Sequence, residues 1–383
     1  MAISKDKKKS IDALMGKINK KFGDKSVNYL KAVEDNLKLR FYKTPSHEFN
    51  GMLYGGVAET KIIEFSGLPS SGKTSMAMEI IKKRQEEDEN EEFMAAWFET
   101  ENSVDKETLE MFGIDTERVV FIEQSEELPA EQCMDILRSL ISSGEFGLVV
   151  VNSVAALLPS KEVEDDLDKQ NIGLLARLLS KFLRITTGSL ARTNTTLLFI
   201  NQLRQAIGSY VPMMTTTGGM AIPFYSHQRI EFKVGKLDSS DPISAEEGKK
   251  IICKTKKNRA ATGNPFKECT YYVRYGKGID GDLELGIILP REGIVTKSGA
   301  WIYYGEDKDH VKNVPTKDGE VVGKWNGIGK FIAAINEDEV LKQFFIDKLN
   351  EKGNSGTSLS EEEIEAAKAE EEKIEQAGKE LDK

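Results

Sequence analysis

The chain has 383 residues, of which 39% are hydrophobic and 30% are charged, enough for one large domain with a packed core and smaller attachments. No apolar run reaches the length of a membrane span, and the lysine-rich start lacks the apolar stretch of a signal peptide. The formal net charge of −10 argues against a protein that binds nucleic acid with its whole surface, but it is compatible with a local basic groove.

The first predicted element is an amphipathic helix near the start of the chain. Between Ile11 and Phe22, apolar residues recur at helical spacing, and lysines lie off that stripe. Such a helix could cover the core of its own domain or dock on a neighbouring subunit. Residues 1–26 carry eight lysines and three aspartates, so this region is basic.

From about residue 60, short apolar strands alternate with helical patterns, as in a parallel sheet covered by helices. The predicted strands are Lys61–Ser66, Phe93–Glu99, Arg118–Glu123, Leu148–Asn152 and Thr195–Asn201, and the predicted helices include Thr74–Arg84, Pro129–Ser142 and Ile172–Leu190. The last two strands are apolar enough to be buried on both faces. The sequence therefore predicts an α/β fold with a mostly parallel sheet.

After Arg229 the pattern changes to strands without long helices between them. Strand patterns at Arg229–Val234, Lys250–Lys256 and Thr270–Tyr275 predict an antiparallel extension of the sheet. Beyond about residue 283, the strand-like Trp301–Tyr304 and the mainly helical Gly327–Asn350 indicate a small mixed segment. Residues 351–383 carry eleven acidic and five basic residues, which is typical of a flexible acidic tail.

The cysteines do not indicate a metal centre. Cys133, Cys253 and Cys269 are scattered along the chain without metal-ligand spacing. Isolated thiols of this kind suit a reducing compartment, so we expect a cytoplasmic protein in which they are core or edge residues.

The most informative motif is Gly67–Thr74, with the sequence GLPSSGKT, which matches G-x-x-x-x-G-K-[ST] between a predicted strand and a predicted helix. Its glycines let the loop wrap round phosphates, so that backbone N–H groups and the helix N-terminus face the anion. Lys73 is predicted to reach the β- and γ-phosphates, and the Thr74 hydroxyl is predicted to bind Mg²⁺. The predicted nucleotide-binding residues of this segment are Gly67, Leu68, Pro69, Ser70, Ser71, Gly72, Lys73, Thr74 and Ser75.

Polar side chains follow three of the predicted strands. They are Glu99 and Glu101, Asn152, and the pair Asn201–Gln202. The carboxyl ends of parallel strands are where ATPases of this architecture place their Mg²⁺, water-activating and γ-phosphate-sensing groups. A carboxylate there could orient water, and an amide such as Gln202 could bond to a γ-phosphate.

Two polar loops follow these strands. The stretch Leu203–Gly219 is long and rich in Gly and Thr, and loops of this length are usually functional or disordered. The loop Glu162–Asn171 leads into a helix that carries Arg177 and Arg184, seven residues apart on one face. Those arginines could hold phosphates or could pair with surface acids, and the residues alone do not decide between the two.

Together these segments resemble the RecA family of recombination ATPases over about residues 5–310. The specific marks are Gly67–Thr74, "LVVVNSVAALL" at Leu148–Leu158, "FINQLRQAIG" at Phe199–Gly208, "TTTGG" at Thr215–Gly219, "KKNRAATGNPFK" at Lys256–Lys267 and "YGKGID" at Tyr275–Asp280. Several unrelated segments agree in order and spacing, so chance does not explain the match.

The resemblance implies a P-loop NTPase sheet of RecA type, ATP and Mg²⁺ as cofactors, and a division into four regions. These are an N-terminal polymerisation helix and linker (1–34), an ATPase core with DNA-binding loops (35–283), a small C-terminal α+β domain (284–350) and the acidic tail (351–383). Members of the family form helical filaments round single-stranded DNA, with ATP at each subunit interface, and exchange strands with a homologous duplex. The helix Ile11–Phe22 then packs on the neighbouring subunit.

The resemblance also assigns roles to single residues. It makes Glu101 the carboxylate that activates water, Gln202 the γ-phosphate sensor, and Lys257 and Arg259 the cations that reach the neighbouring subunit's γ-phosphate. Asp105 and Tyr275 match adenine contacts, and Phe224 matches an interface aromatic. Glu162–Ile172 and Gln205–Gly219 match the two DNA loops. The matched DNA-binding positions are Arg177, Ser180, Arg184, Arg204, Thr217, Gly218 and Gly219.

The implied function is a DNA-dependent ATPase that pairs and exchanges homologous strands in recombination and repair. The implied partners are single-stranded and homologous duplex DNA, further copies of the chain, and single-strand-binding and loader proteins in a bacterial or phage-infected cell. A hexameric motor with the same sheet is an alternative. A filament that binds ATP without turnover is another, prompted by Asn152.

The chain departs from the family pattern at several places. Asn152 stands where the family has Asp at the end of the Mg²⁺-side strand, which predicts weaker Mg²⁺ organisation, with Glu99 as the group that could compensate. The second loop looks one residue short, Thr108 replaces a common adenine-stacking aromatic, and Thr262–Gly263 looks like an insertion. This drift indicates a divergent member of bacterial or phage origin.

Overall fold

A computed structural model describes residues 4–23, 26–29, 38–124, 128–164, 173–205, 214–239, 241–306, 308–352 and 357–358. The chain divides into two units, Met1–Arg40 and Phe41–Lys383. Among the residues within these ranges, no helix is both long enough and apolar enough to cross a bilayer.

The first unit contains helix α1, Lys5–Phe22. Ser4 begins the helix, because its side chain accepts a hydrogen bond from the N–H of Lys7, and Gly23 ends it at a φ of 105°. The predicted apolar stripe is helical, but Leu14 is 58% exposed and Phe22 is 68% exposed.

The strands and helices of the second unit follow in chain order. The strands are β1 (Phe41–Tyr42), β2 (Val57–Ala58), β3 (Ile62–Gly67), β4 (Ala95–Glu99), β5 (Val119–Glu123), β6 (Leu148–Asn152), β7 (Thr196–Gln205), β8 (Met214–Thr216), β9 (Gln228–Gly235), β10 (Gly248–Asn258), β11 (Lys267–Arg274), β12 (Gly278–Ile279), β13 (Thr296–Ser298), β14 (Trp301–Tyr303), β15 (Val314–Pro315), β16 (Val321–Val322), β17 (Lys324–Asn326) and β18 (Thr357–Ser358). The helices are α2 (His47–Met52), α3 (Lys73–Glu86), α4 (Lys106–Met111), α5 (Ala130–Ser143), α6 (Ser160–Glu164), α7 (Leu174–Thr193), α8 (Ala221–Tyr225), α9 (Gly281–Arg291), α10 (Ile328–Glu337) and α11 (Glu339–Lys352).

One large sheet organises this unit, in the order β12-β11-β10-β9-β3-β7-β6-β4-β5. The strands from β9 to β5 run parallel to one another, and β10, β11 and β12 continue the sheet antiparallel. The predicted α/β fold, with a mostly parallel sheet and an antiparallel extension, is confirmed. Strand β3, which leads into the glycine motif, lies in the interior of the sheet.

The central strands form because their apolar runs are buried on both faces. Every residue of β3, β4 and β6 is buried. Helices α5 and α7 cover one face, where Leu137 and Leu183 pack in one core with Val149 and Phe199 of the sheet. This packing holds the carboxyl ends of the strands in fixed register, which is where the polar groups lie.

Strand β7 is longer than the sequence predicts. It continues past Asn201 to Gln205 and pairs antiparallel with β8, so that Arg204 lies opposite Thr215. The predicted strand ended where the apolar run ends, but the partner strand β8 extends the ladder through polar residues. The second loop therefore begins and ends as a hairpin, while residues 206–213 lie outside the described ranges.

A second apolar core lies in the C-terminal part of this unit. Trp325, Phe331 and Phe345 form its aromatic centre, with ring centroids 4.7 Å apart for the first pair and 5.4 Å for the last two. Helix α9 contributes Leu285 and crosses the predicted boundary between residues 283 and 284. The sequence did not reveal this helix, because it contains the helix-breaking residues Gly286 and Pro290. Gly286 is required by packing, since a Cβ there would lie 2.4 Å from Cγ1 of Ile332.

Candidate functional site

The glycine motif forms a tight loop between β3 and α3. Gly72 has a φ of 93° at the residue before the helix, a conformation that favours glycine. At Gly67 a Cβ would lie 2.4 Å from the carbonyl oxygen of Phe232 and 2.7 Å from Oγ of Ser71, so a side chain there does not fit. The first turn of α3 lines an open cavity, where its N–H groups can bind an anion.

Lys73 lies at the start of α3 with its ammonium turned back onto the loop. Its Nζ donates to the carbonyl oxygens of Gly67 at 3.1 Å and Leu68 at 2.8 Å, and to Oγ of Ser71 at 3.3 Å. Burial lowers the pKa of Lys73, and the nearby charge of Glu101 acts in the opposite direction. A buried cation held by neutral carbonyls is well placed to bind a phosphate instead.

Thr74 and Asn152 meet at the predicted Mg²⁺ position. The Thr74 hydroxyl lies 3.5 Å from Oδ1 of Asn152, and Nδ2 of Asn152 donates to Oε2 of Glu99 at 2.9 Å. Glu99 and Asn152 are register partners on β4 and β6, which explains their contact. Hydroxyl and amide oxygens are hard ligands that suit Mg²⁺.

Glu101 and Gln202 are joined directly. Nε2 of Gln202 donates to Oε1 of Glu101 at 2.6 Å, and the hydroxyl of Ser153 donates to the same oxygen. Gln202 is the register partner of Gly67, so it lies beside the glycine loop. The structure thus brings together two residues that are about a hundred positions apart in sequence. Glu101 was predicted to activate water, and Gln202 was predicted to sense the γ-phosphate.

A cavity of about 690 Å³ opens beside the loop. Its lining includes Ser70–Ser75 at one end and Tyr275–Gly278 at the other. Tyr275 is 53% exposed there, as a residue that receives a base would be. The predicted adenine contact Asp105 is not part of this lining; its carboxylate begins α4, accepting from the N–H and the hydroxyl of Thr108, and these bonds lower its pKa.

Glu79 is a residue of this cavity that sequence reasoning missed. Its side chain is buried, and Oε1 accepts from the N–H of Ile279 at 3.1 Å. A Cβ on Gly278 would lie 2.1 Å from that oxygen, so the turn after Tyr275 approaches α3 as closely as glycine allows. Burial raises the pKa of Glu79. The signal in the sequence is a single carboxylate within the apolar run Met76–Ile81.

The predicted DNA-binding residues of α7 lie on its exposed face. Arg177 and Arg184 are exposed and Ser180 is half-buried between them, while Leu179 and Leu183 face the core. The spacing of three and four residues places these polar side chains in one stripe along the helix.

Gly218 and Gly219 lie against this same helix. Both have positive φ, and a Cβ on Gly218 would lie 2.6 Å from Leu179, while one on Gly219 would lie 2.7 Å from Ala176. The two glycines therefore bring the backbone close to α7. This approach brings the end of the second loop next to Arg177 and Ser180.

A buried polar chain links the second loop to the sheet core. Nδ2 of Asn201 donates to the carbonyl oxygen of Thr217 at 2.9 Å and to Glu64 at 3.0 Å. Glu64 is fully buried and accepts from Nε of Arg229 at 2.6 Å. Because buried polar groups must be paired, this chain fixes the backbone at Thr217 relative to Gln202, the next residue after Asn201.

Lys257 and Arg259 lie far from the glycine loop of their own chain. Ile251, at the other end of β10, packs under Gly72. Lys257 lies six positions further along the strand, a distance of about 20 Å. The ammonium of Lys257 donates to the carbonyl oxygens of Pro223 and Phe224, at 3.0 Å each. Arg259 is exposed.

Phe224 and His227 surround these cations. Phe224, the predicted interface aromatic, is 45% exposed at the end of α8. Burial, together with the charges of Lys61, Arg259 and Lys257, lowers the pKa of His227 to about 4. Lys61, Lys257 and Arg259 therefore all lie near His227 at this end of the strands, and the exposed Phe224 follows α8 there.

Similar sequences occur among known proteins. Residues 9–280 match the family model described as RecA N-terminal domain. The protein named Protein RecA from Rubrobacter xylanophilus is 36% identical over 307 residues, 79% of this chain and 85% of the relative, and that from Wolinella succinogenes is 34% identical over 358 residues, 91% of this chain and 98% of the relative. The Protein RecA of Mycoplasma mycoides subsp. mycoides is 38% identical over 304 residues, 78% of this chain and 84% of the relative. The chain therefore belongs to the RecA family of recombination ATPases.

Proposed function

We propose that this chain is a DNA-dependent ATPase that forms helical filaments on single-stranded DNA and pairs and exchanges homologous strands. The observation that carries the proposal is the placement of the two halves of the nucleotide site. The phosphate loop lies at one end of β10, and Lys257 lies at the other, about 20 Å away. A second subunit has to supply the missing cations, so hydrolysis requires assembly.

The phosphate half of the site binds ATP through α3 and its loop. The N–H groups at Gly72 and the first turn of the helix bond to the phosphates, and the ammonium of Lys73 exchanges its loop carbonyls for phosphate oxygens. Mg²⁺, held by the Thr74 hydroxyl and through water by Asn152, would neutralise phosphate charge. The turn at Tyr275 receives the adenine.

Glu101 is the base in this scheme. Its carboxylate, held by Ser153 and Gln202, orients a water and accepts its proton, while the water oxygen bonds to the γ-phosphorus and the bond to ADP breaks. Gln202 can then bond either to Glu101 or to the γ-phosphate. Since Gln202 is on the β7–β8 hairpin, this exchange carries the state of the nucleotide to the second DNA loop.

The cationic half of the site, which consists of Lys257 and Arg259, acts on the neighbouring subunit. Lys257 and Arg259 would stabilise the charge that develops on the γ-phosphate, as an arginine finger does. Engagement of Lys257 would also change its bonds to Pro223 and Phe224, at the end of the helix that follows the second DNA loop. Helix α1, with its exposed Leu14 and Phe22, docks on the adjoining subunit.

The proposed DNA-binding surface consists of the polar side chains along α7 and of the β7–β8 hairpin. Arg177, Arg184 and Arg204 are exposed and would contact phosphates of the single strand, while Gly218 and Gly219 present backbone N–H groups beside them. Affinity should fall as salt rises and should not depend on base sequence. Homologous duplex, single-strand-binding proteins and loader proteins are the further partners.

A strand-exchange assay with ATP tests this function. We expect joint molecules between a circular single strand and a homologous linear duplex, and none with a heterologous duplex. Glu101→Gln is the matched control, since it should bind ATP without turning it over. Failure to form joint molecules with a homologous duplex, or closed rings in place of open helices in electron micrographs with ATP and single-stranded DNA, would contradict the proposal.

A further inference from the structure

Glu99 is a buried carboxylate that the proposed mechanism does not use. It is 1% exposed. Among the described residues, its five hydrogen-bond donors are uncharged: Nε1 of Trp97, Nδ2 of Asn152, Oγ and N–H of Ser103, and the N–H of Glu101, at 2.9 to 3.2 Å. These bonds engage both carboxylate oxygens, so the side chain is held in one orientation beside Asn152.

The carboxylate also fixes the orientation of Asn152. A carboxylate only accepts hydrogen bonds, so the atom of Asn152 that faces Glu99 must be Nδ2, and Ser103 Oγ accepts from the same nitrogen at 3.1 Å. The other atom, Oδ1, is thereby directed to the hydroxyl of Thr74. The amide oxygen faces the metal side because Glu99 holds the nitrogen away from it.

We propose that Glu99 is a positioning residue of the Mg²⁺–nucleotide site, which directs Oδ1 of Asn152 towards Thr74 and supplies the carboxylate that an aspartate at position 152 would otherwise provide. The inference rests on the proposed function, because the site is one that binds a divalent cation with a nucleoside triphosphate. The residues at positions 99 and 152 then form a matched pair with one carboxylate and one amide. Two carboxylates at these positions would lie within 2.9 Å of each other and repel.

The test is a double-mutant cycle on the full-length protein, with Glu99→Gln, Asn152→Asp and the double variant. One readout is the Mg²⁺ concentration that half-saturates the gain in affinity for a fluorescent ADP analogue. The other is the midpoint of thermal unfolding without nucleotide or Mg²⁺. Glu123→Gln is the matched control, because Glu123 is the register partner of Glu99 on β5 but its side chain is exposed.

Glu99→Gln should raise the half-saturating Mg²⁺ concentration by about tenfold and leave nucleotide affinity without Mg²⁺ unchanged. Asn152→Asp should lower the unfolding midpoint of the metal-free protein by several degrees. The double variant should return both quantities towards the wild type, because it restores one carboxylate and one amide. Glu123→Gln should change neither.

Effects that simply add in the double variant would overturn the inference, and so would a metal-free Asn152→Asp protein as stable as the wild type or more so. The latter comparison remains decisive even if Glu99→Gln does not fold. These outcomes differ from a failure of the proposed function, in which the wild type itself would show no Mg²⁺-dependent nucleotide binding.

Discussion

In the proposed function, the two ends of strand β10 form opposite halves of one kind of site. At the Gly248 end, Ile251 packs under the phosphate loop, and the groups around it are buried and joined by hydrogen bonds. At the Asn258 end, Lys257 is bonded to carbonyl oxygens and Arg259 is exposed. The first half is assembled within one chain, whereas the second has no phosphate loop of its own within reach.

The difference explains how one strand can couple nucleotide to assembly. The phosphate half needs only its own chain to bind ATP, so its groups are fixed by the sheet register. In this proposal the cationic half needs a neighbour. Arg259 is exposed there, whereas Lys257 is buried and bonded to the carbonyl oxygens of Pro223 and Phe224. Variants that change ATP hydrolysis without changing ATP binding therefore test this difference between the two halves.

The largest effect is expected at the cationic half. Arg259→Ala should lower DNA-dependent turnover by roughly 10³- to 10⁵-fold, because an arginine supplied across an interface stabilises transition-state charge by that factor. ATP affinity of the free subunit should not change. Steady-state phosphate release and nucleotide titration measure the two quantities.

Lys256→Ala is the matched control for that experiment. Lys256 precedes Lys257 on β10 and pairs with Glu231 at 3.5 Å. Its replacement should change DNA-dependent turnover very little. Equal losses in both variants would mean that the region contributes only general positive charge.

The next effect is expected at the phosphate half. Glu101→Gln should lower turnover by roughly 10²- to 10⁴-fold, since it removes a general base while keeping the bond to Gln202 available. Nucleotide binding and filament formation on DNA should persist, as seen by titration and electron microscopy. Turnover close to wild type would remove Glu101 from the mechanism.

A smaller effect is expected at the end of the cavity that is proposed to bind adenine. Glu79→Ala should weaken ATP binding by about tenfold, because the turn at Gly278–Ile279 loses its anchor on α3. Binding of inorganic triphosphate, which lacks the base, should be unchanged. Glu86→Ala, an exposed position on the same helix, serves as the control. Parallel losses for ATP and triphosphate would indicate damage to α3 instead.

The smallest effect is a pH dependence from His227. Its folded pKa of about 4 lies below the unfolded value of 6.5, so its contribution to stability is complete above pH 6.5 and is lost as the pH falls towards 4. Between pH 7.5 and pH 5 the free energy of unfolding should fall by about 1 kcal/mol from this group, a figure reduced for partial exposure. Urea unfolding of the wild type and His227→Gln at both pH values measures it.

Arg259→Ala sharpens this last test. Removal of one neighbouring cation should raise the pKa of His227 and so reduce the acid loss. An unchanged pH dependence in that variant would mean that the charge of Arg259 does not contribute to the low pKa of His227.

The sequence predicts the fold well where a single segment carries the signal. Strand β6 has the predicted bounds, and β3 and α3 differ from prediction by one or two residues, because an unbroken apolar run or a glycine loop marks them. Helix α9 and the extension of β7 were not predicted. Their causes lie elsewhere in the chain: Ile332 requires Gly286, and β8 supplies the partner for β7.

The residues of the candidate site also divide into those that the sequence predicts and those that it does not. Lys73, Thr74 and Tyr275 line the predicted cavity, and Glu101 meets Gln202, as motif and resemblance indicated. The supporting contacts of Glu79 and Ser153, and the buried pair of Glu64 with Arg229, join segments that are distant in sequence. No local pattern encodes such contacts, because register and packing create them.

Mixing two inactive variants tests the composite site most directly. Glu101→Gln keeps its cations and loses its base, whereas Arg259→Ala keeps its base and loses a cation. In filaments formed from an equal mixture, about one interface in four would combine two intact halves, since the contacts are head-to-tail. We predict DNA-dependent ATP hydrolysis at a substantial fraction of the wild-type rate in the mixture and almost none in either protein alone; a mixture no more active than the average of the two would contradict the account.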